Sequence, residues 1–308
     1  MRVRAIPHPG GGLLVVGDVV TDIVARHRTP LAPGTDTAAA IRAVPGGAGA
    51  NVACWAAYGG CPDVRLLGRV GADSAAWHEA ALTRAGVRSR LVVDPEAPTG
   101  TVICLVDVGA GAERTFLTDS GAALRLSPAD WSPALLDGVA WLHLSGYLFF
   151  AEPSRAAAGD ALAAARAGGV PVSVDPASVG FLGEWGVEWF LAAVEGVAVL
   201  LPSRDEAELL TGLPDPADAA AKLSRRFPLV VVTAGAGGAV AARGGEVLGW
   251  ASAGVGASGV RDTTGAGDAF TGGFLAAWLT GAGVLGAVEA GCRAGAVAVG
   301  RVGGRPCG

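Results

Sequence analysis

Lysine is almost absent from this 308-residue chain: Lys222 is the only one, and arginine carries the positive charge. No Gly-Lys-Ser/Thr step occurs, so a Walker-type phosphate loop is excluded. Charged residues make up only 17% and the net charge is −5, which gives no footprint for nucleic acid or an anionic membrane. The five cysteines (Cys54, Cys61, Cys104, Cys292, Cys307) are odd in number, with no Cys-x-x-Cys pair and only four histidines to join them. Neither a disulfide framework nor a zinc site is expected. The N-terminus, Met1-Arg2-Val3-Arg4-Ala5-Ile6-Pro7, lacks the apolar core of a signal peptide, so a soluble, cytoplasmic protein is expected. One uncharged run, Ala269 to Val288, is long enough to raise the question of a membrane span. Gly281-Ala282-Gly283 interrupts it, and a pair of buried helices is the better expectation.

What the chain does have is apolar residues, 51% of the total, enough to bury one large or two ordinary domain cores. They fall into β-rich runs at Leu13–Gly17, Val64–Gly68, Trp141–Ser145, Val170–Asp175, Val197–Leu201 and Leu229–Thr233. Helical patterns lie between them at Ser74–Ala85, Pro153–Ala167 and Pro216–Arg226. This alternation predicts an α/β fold, a three-layer sandwich with a mostly parallel central sheet covered on both faces. Ligands then bind beyond the carboxyl ends of the strands. Val19–Ala43 and Leu91–Thr118 break the pattern, and Thr101–Asp107 with Arg114–Asp119, across Gly109-Ala110-Gly111-Ala112, read as a hairpin.

Two glycine-rich segments lead into apolar helices. One is Asp262-Thr263-Thr264-Gly265-Ala266-Gly267-Asp268; the other is Pro45-Gly46-Gly47-Ala48-Gly49-Ala50-Asn51-Val52-Ala53. A glycine turn opening a helix aims backbone N–H groups and the positive end of the helix dipole at one spot, which favours an anion. A carboxylate in the first turn, here Asp268, could take a hydroxyl proton beside it, as phosphoryl transfer to an alcohol requires. Read alone, the first segment is equally a plain glycine turn and a helix with an Asp in its first turn. A dinucleotide fingerprint at Gly47-Ala48-Gly49 is disfavoured, because Val52 stands at the third glycine position and no clear strand directly precedes the turn.

In order and separation the two segments together resemble the paired signatures of the ribokinase-like (PfkB) carbohydrate and nucleoside kinases, over nearly the whole chain. The resemblance implies a small β-sheet lid over the active site. Residues 19–46 and 91–121 are assigned to it, and 1–18, 47–90 and 122–308 to the nucleotide- and substrate-binding core. It implies Asp268 as catalytic base with Gly265, Ala266 and Gly267 as anion-hole donors, and Asp22, Gly46, Gly47 and Asn51 as substrate contacts. It further implies Ser203, Thr233, Gly235 and Gly238 at the nucleotide, and Glu206 holding Mg2+ through water. Asp262 and Thr264, with the tail at Arg301–Cys307, match a monovalent-cation site, so K+ joins ATP and Mg2+ as an expected cofactor.

Several residues depart from the family pattern. Ser203 replaces a usual Asn; it and Glu206 also read as a helix capping box. Val20, Ala48 and Ser145 stand where ribokinases proper place sugar-binding side chains, which disfavours ribose as substrate. The expected activity is ATP-dependent phosphorylation of a hydroxyl, a primary one, on a small sugar or sugar-like molecule. A nucleoside kinase and a catalytically silent sugar- or nucleotide-binding regulator are the alternatives. A lid with one apolar face also predicts a homodimer through the lid.

Overall fold

A computed structural model describes residues 11–109, 113–253 and 260–306. The Met1–Pro7 terminus, the turn at Ala110–Ala112 and Cys307 lie outside them.

The first strand, β1 (Gly12–Val16), shows how the core is built. Leu13 and Val15 face one apolar cluster, and Leu14 and Val16 face another. Alternation with both faces buried is the signature of a central strand in a covered sheet. On the first side pack α1 (Ala48–Tyr58), α2 (Ala75–Arg84), α8 (Ala266–Leu279) and α9 (Val284–Val299), through side chains such as Val52, Leu82, Phe274 and Val288. On the second lie α3 (Ser154–Gly168), α4 (Val179–Trp185), α5 (Val187–Ala193), α6 (Arg204–Thr211) and α7 (Pro216–Leu223), through Ala158, Leu182, Phe190, Leu210 and Leu223. The result is the expected three-layer α/β sandwich.

The large sheet is completed by β4 (Val64–Gly71), β5 (Val87–Asp94), β8 (Val139–Ser145), β9 (Val172–Asp175), β10 (Val199–Leu200), β11 (Leu229–Thr233), β12 (Ala239–Arg243) and β13 (Glu246–Ala251). Its order is β13-β12-β11-β10-β9-β8-β1-β4-β5, and only the β11–β12 and β12–β13 pairings are antiparallel. The carboxyl ends of β1, β8, β9, β10 and β11 therefore share one edge.

The small sheet holds β2 (Val20–His27), β3 (Ala39–Gly46), β6 (Thr99–Asp107) and β7 (Glu113–Gly121) in the order β3-β2-β6-β7. The β6–β7 pair is the expected hairpin, and β2 lies parallel to β6. One assignment needs correction. A lid beginning at residue 91 takes in Leu91–Asp94, but these close β5, which pairs with β4 through Gly71↔Asp94. An edge strand of the large sheet has one half-exposed face, so its sequence resembles that of a lid strand.

The uncharged run from Ala269 to Val288 divides between α8 and α9. Among the described residues no helix is long and apolar enough to cross a membrane. Cys54, Cys61, Cys104 and Cys292 are buried thiols.

Candidate active site

The two glycine-rich segments meet because their helices can approach closely. At Gly272 of α8 a Cβ would stand 2.5 Å from Trp55 Cβ and 2.7 Å from the Val52 carbonyl oxygen of α1. At Gly49 it would stand 2.7 Å from Gly17 Cα. Glycine at these contacts sets α1 against both α8 and the end of β1. Asp18, just past β1, then caps α1: its carboxylate accepts from Ala48 N at 2.7 Å, Gly49 N at 3.2 Å and Ser145 Oγ at 2.8 Å. A carboxylate here complements the positive end of the helix.

Asp268 sits in the first turn of α8, behind Gly265 in the left-handed conformation at φ 71°. Asn51 Nδ2 donates to Asp268 Oδ2 at 2.8 Å. Burial pushes the Asp268 carboxyl up to about 7. The Asn51 bond opposes this, and the charges of Asp18, Asp22 and Glu206 add to it. Of the three expected anion-hole donors, Ala266 turns its N–H to the Thr263 carbonyl at 3.2 Å.

Asp22, on β2, is 6% exposed. It too is pushed up to about 7, by burial first, with Arg305 opposing and Asp18 and Asp262 reinforcing. A Cβ on Gly46 would lie 2.3 Å from the Asp22 carboxyl atoms, so glycine is what lets that carboxylate settle on the β2–β3 ladder.

On the other side of the cavity Ser203 and Glu206 form the capping box of α6. Glu206 N donates to Ser203 Oγ at 3.3 Å, and Ser203 N to Glu206 Oε2 at 2.8 Å. Ser203 also bridges to Thr233, at the end of β11. Asp262, before α8, accepts from Thr264 N at 2.9 Å and Gly303 N at 3.0 Å.

A cavity of about 620 Å³ brings most of these groups together. Asp22, Gly47 and Asn51 line it on the lid side, and Thr264 through Asp268 line its floor. Ser203, Glu206 and Thr233 line the far side. Gly46, Gly235, Gly238 and Asp262 are not part of the lining. Gly46 lies behind Asp22, Asp262 clamps the tail, and Gly235 and Gly238 flank a short turn after Thr233 at φ 56° and 87°.

The lining also includes Asp175, which the sequence reading passed over. Its carboxylate accepts from Ala177 N at 2.9 Å and Thr271 Oγ1 at 3.3 Å. Burial, then the charges of Glu206 and Asp268, hold it well above the usual carboxylate range. The available signal was its place at the carboxyl end of a buried strand. Beside it, Ala177 is the one described non-glycine residue with positive φ, at 74°. Phe116, Tyr147 and Phe181 add an aromatic wall, in which Tyr147 and Phe181 meet edge to face at 5.9 Å. Among the described lining residues there is neither arginine nor lysine.

The profile of the pfkB family carbohydrate kinases matches residues 12–307. A fructokinase of Klebsiella pneumoniae is 33% identical over 282 residues, which cover 86% of this chain and 84% of that protein. The fold is that of an adenosine kinase from Sinorhizobium meliloti (TM-score 0.85, 23% identity, 97% and 96% of the two chains covered). It is also that of an Escherichia coli protein described as a ribokinase II and solved with ATP and Mg2+ (TM-score 0.81, 24% identity, 96% and 94% covered). With the match running through both glycine-rich segments and the carboxylates they bring together, this chain belongs to the pfkB family of carbohydrate kinases.

Proposed function

We propose that the enzyme transfers the γ-phosphoryl group of ATP to a primary hydroxyl of a small sugar. The observation that carries this reading is the Asn51–Asp268 pair. It sets a carboxylate with a pKa raised to about 7 at the N-terminus of α8. Such a group accepts a hydroxyl proton near neutral pH, and the adjoining helix start favours the anion that moves past it. Asp22 orients the acceptor by taking its hydroxyls as hydrogen-bond donors. The acceptor oxygen forms a bond to the γ-phosphorus as the bond to the ADP oxygen breaks, and the hydroxyl proton passes to Asp268.

Glu206 and Asp268 push the Asp175 pKa up and Glu206 pushes up that of Asp268, so this all-oxygen cluster is short of positive charge and suits magnesium. No three His, Cys, Asp or Glu side chains among the described residues form a ready-made metal site. Glu206, with Asp175, would therefore hold the ion through water and the nucleotide's phosphates. The magnesium would neutralise charge developing on the transferred group. For a monovalent cation, Thr264 offers a buried hydroxyl with no hydrogen-bond partner in the described structure. Both Asp262 oxygens accept from backbone N–H groups, so that carboxylate serves the fold first. Potassium stays in the reading as a variable of the assay.

A nucleoside acceptor is the second reading, favoured by the Phe116, Tyr147 and Phe181 wall. A cytoplasmic setting, where ATP is supplied, and pairing of two chains through their lids go with either reading. Ile41 and Leu117 of the lid sheet are 64% and 55% exposed, the apolar surface such pairing would cover. ADP release across a panel of sugars and nucleosides, with and without potassium, tests the proposal. No acceptor-dependent release by folded protein would refute it and favour a silent binding protein.

A further inference from the structure

The last described residues pass beneath both glycine-rich segments. Trp55 Nε1 of α1 donates to the Gly304 carbonyl at 2.8 Å, and Arg305 Nη2 donates to the Gly46 carbonyl at 2.9 Å. Arg305 is 6% exposed, and its Nε and Nη1 are buried without a hydrogen-bond partner in the described structure. A buried cation with two unpaired donors is costly unless a counter-charge compensates it. The groups around it narrow the choice. His78 of α2 is fully buried and held neutral, its pKa down to about 4 by burial and then by Arg305. After burial, the Cys54 thiol of α1 and then Asp22 act on Arg305; Asp22 is the one carboxylate of the two, and Arg305 in turn is the cation acting on it. The other charges acting on Asp22, those of Asp18 after β1 and Asp262 before α8, are negative, and Asp22 in turn acts on Asp268 of α8. Both partners also touch one residue. The Asp22 carboxylate lies over Gly46, and the Arg305 guanidinium holds the Gly46 carbonyl.

We propose that Arg305 is a positioning residue for acceptor binding, a buried counter-charge that holds the Gly46–Gly47 turn and the Asp22 carboxylate in their substrate-binding arrangement. It does not line the cavity and touches no reacting atom. Its kinetic consequence rests on the reading of Asp22 as an acceptor ligand; its energetic coupling to Asp22 does not.

The test is a double-mutant cycle on the full chain. Arg305→Gln raises the acceptor KM at least tenfold, while kcat and the KM for ATP change by less than about threefold. Arg305→Lys, which keeps the charge, restores most of the loss. In an Asp22→Asn background Arg305→Gln adds no further rise. Equal losses in kcat and both KM values, no rescue by lysine, or additive rises in the cycle would overturn the proposal. Thermal melting supplies an arm that needs no acceptor. Burial leaves the Asp22 pKa raised even with Arg305 beside it, so Asp22→Asn raises the melting temperature at pH 8, and raises it further in an Arg305→Gln background, where no cation offsets the carboxylate. Equal changes in the two backgrounds, or an Arg305→Gln protein that fails to fold with and without Asp22→Asn, overturn the coupling.

Discussion

Asn51 Nδ2 lies 2.8 Å from Asp268 Oδ2, joining residues 217 positions apart at the facing ends of α1 and α8. The bond fixes the Asp268 carboxylate in the cavity and moderates the upward push that burial gives its pKa. It leaves the other Asp268 oxygen for an acceptor hydroxyl.

Asp268→Asn removes the proposed proton acceptor and changes little else in shape. We expect kcat to fall by roughly 10² to 10⁴, the usual cost of losing a general base. Acceptor and ATP affinities measured by calorimetry should change by no more than a few-fold. A variant that turns over near the wild-type rate would remove Asp268 from that role.

The raised pKa values of Asp22 and Asp268 set a pH dependence. In their proposed roles both carboxyls work ionised, so kcat/KM should fall as pH drops through about 7 in the free enzyme. The stability effect has the opposite sense. An acid with a raised folded pKa binds more protons folded than unfolded between about 4 and 7, so its ionisation costs stability as pH rises through that window. The gain in melting temperature from Asp268→Asn should therefore grow from pH 5 to pH 8. A gain independent of pH would contradict the assignment.

The α1–α8 contact is tight enough to register one methyl group. Gly272→Ala would place a Cβ 2.5 Å from Trp55 Cβ, forcing the helices apart. Overpacking of this kind costs about 1–3 kcal/mol. The shift also separates Asn51 from Asp268, so the melting temperature and kcat should fall together. A stable Gly272→Ala protein with wild-type kcat would show that the spacing is not critical.

The lid is expected to close over the acceptor, because water admitted to the site would divert the phosphoryl group. Hydrogen exchange with and without acceptor should show slower exchange in β2, β3, β6 and β7 when it is bound. Unchanged protection at demonstrated saturation would argue for a lid already closed. Light scattering at micromolar concentration should give the mass of two chains.

Much of this was legible in the sequence because the signals are local. The buried runs at Leu13–Gly17 and Leu229–Thr233 could form only covered strands, and each glycine-rich segment announces a helix start. Other features arise only on folding. Asp175 reads as an ordinary strand end until β9 lies beside α6 and α8, where Glu206 and Asp268 give it its charge environment. Arg305 reads as a tail residue until it is buried behind Gly46. The end of β5 reads as lid in the sequence because edge strands and lid strands share one half-exposed pattern.

The most direct test of the central claim is an acceptor-dependent phosphoryl transfer assay on wild-type protein and Asp268→Asn, with ATP, magnesium and the panel of sugars and nucleosides. The account predicts that at least one acceptor of the panel yields ADP and phosphorylated acceptor in equal amounts, and that Asp268→Asn loses at least about a hundredfold of that rate. Release of ADP without a phosphorylated acceptor, or equal rates in the two proteins, would contradict it.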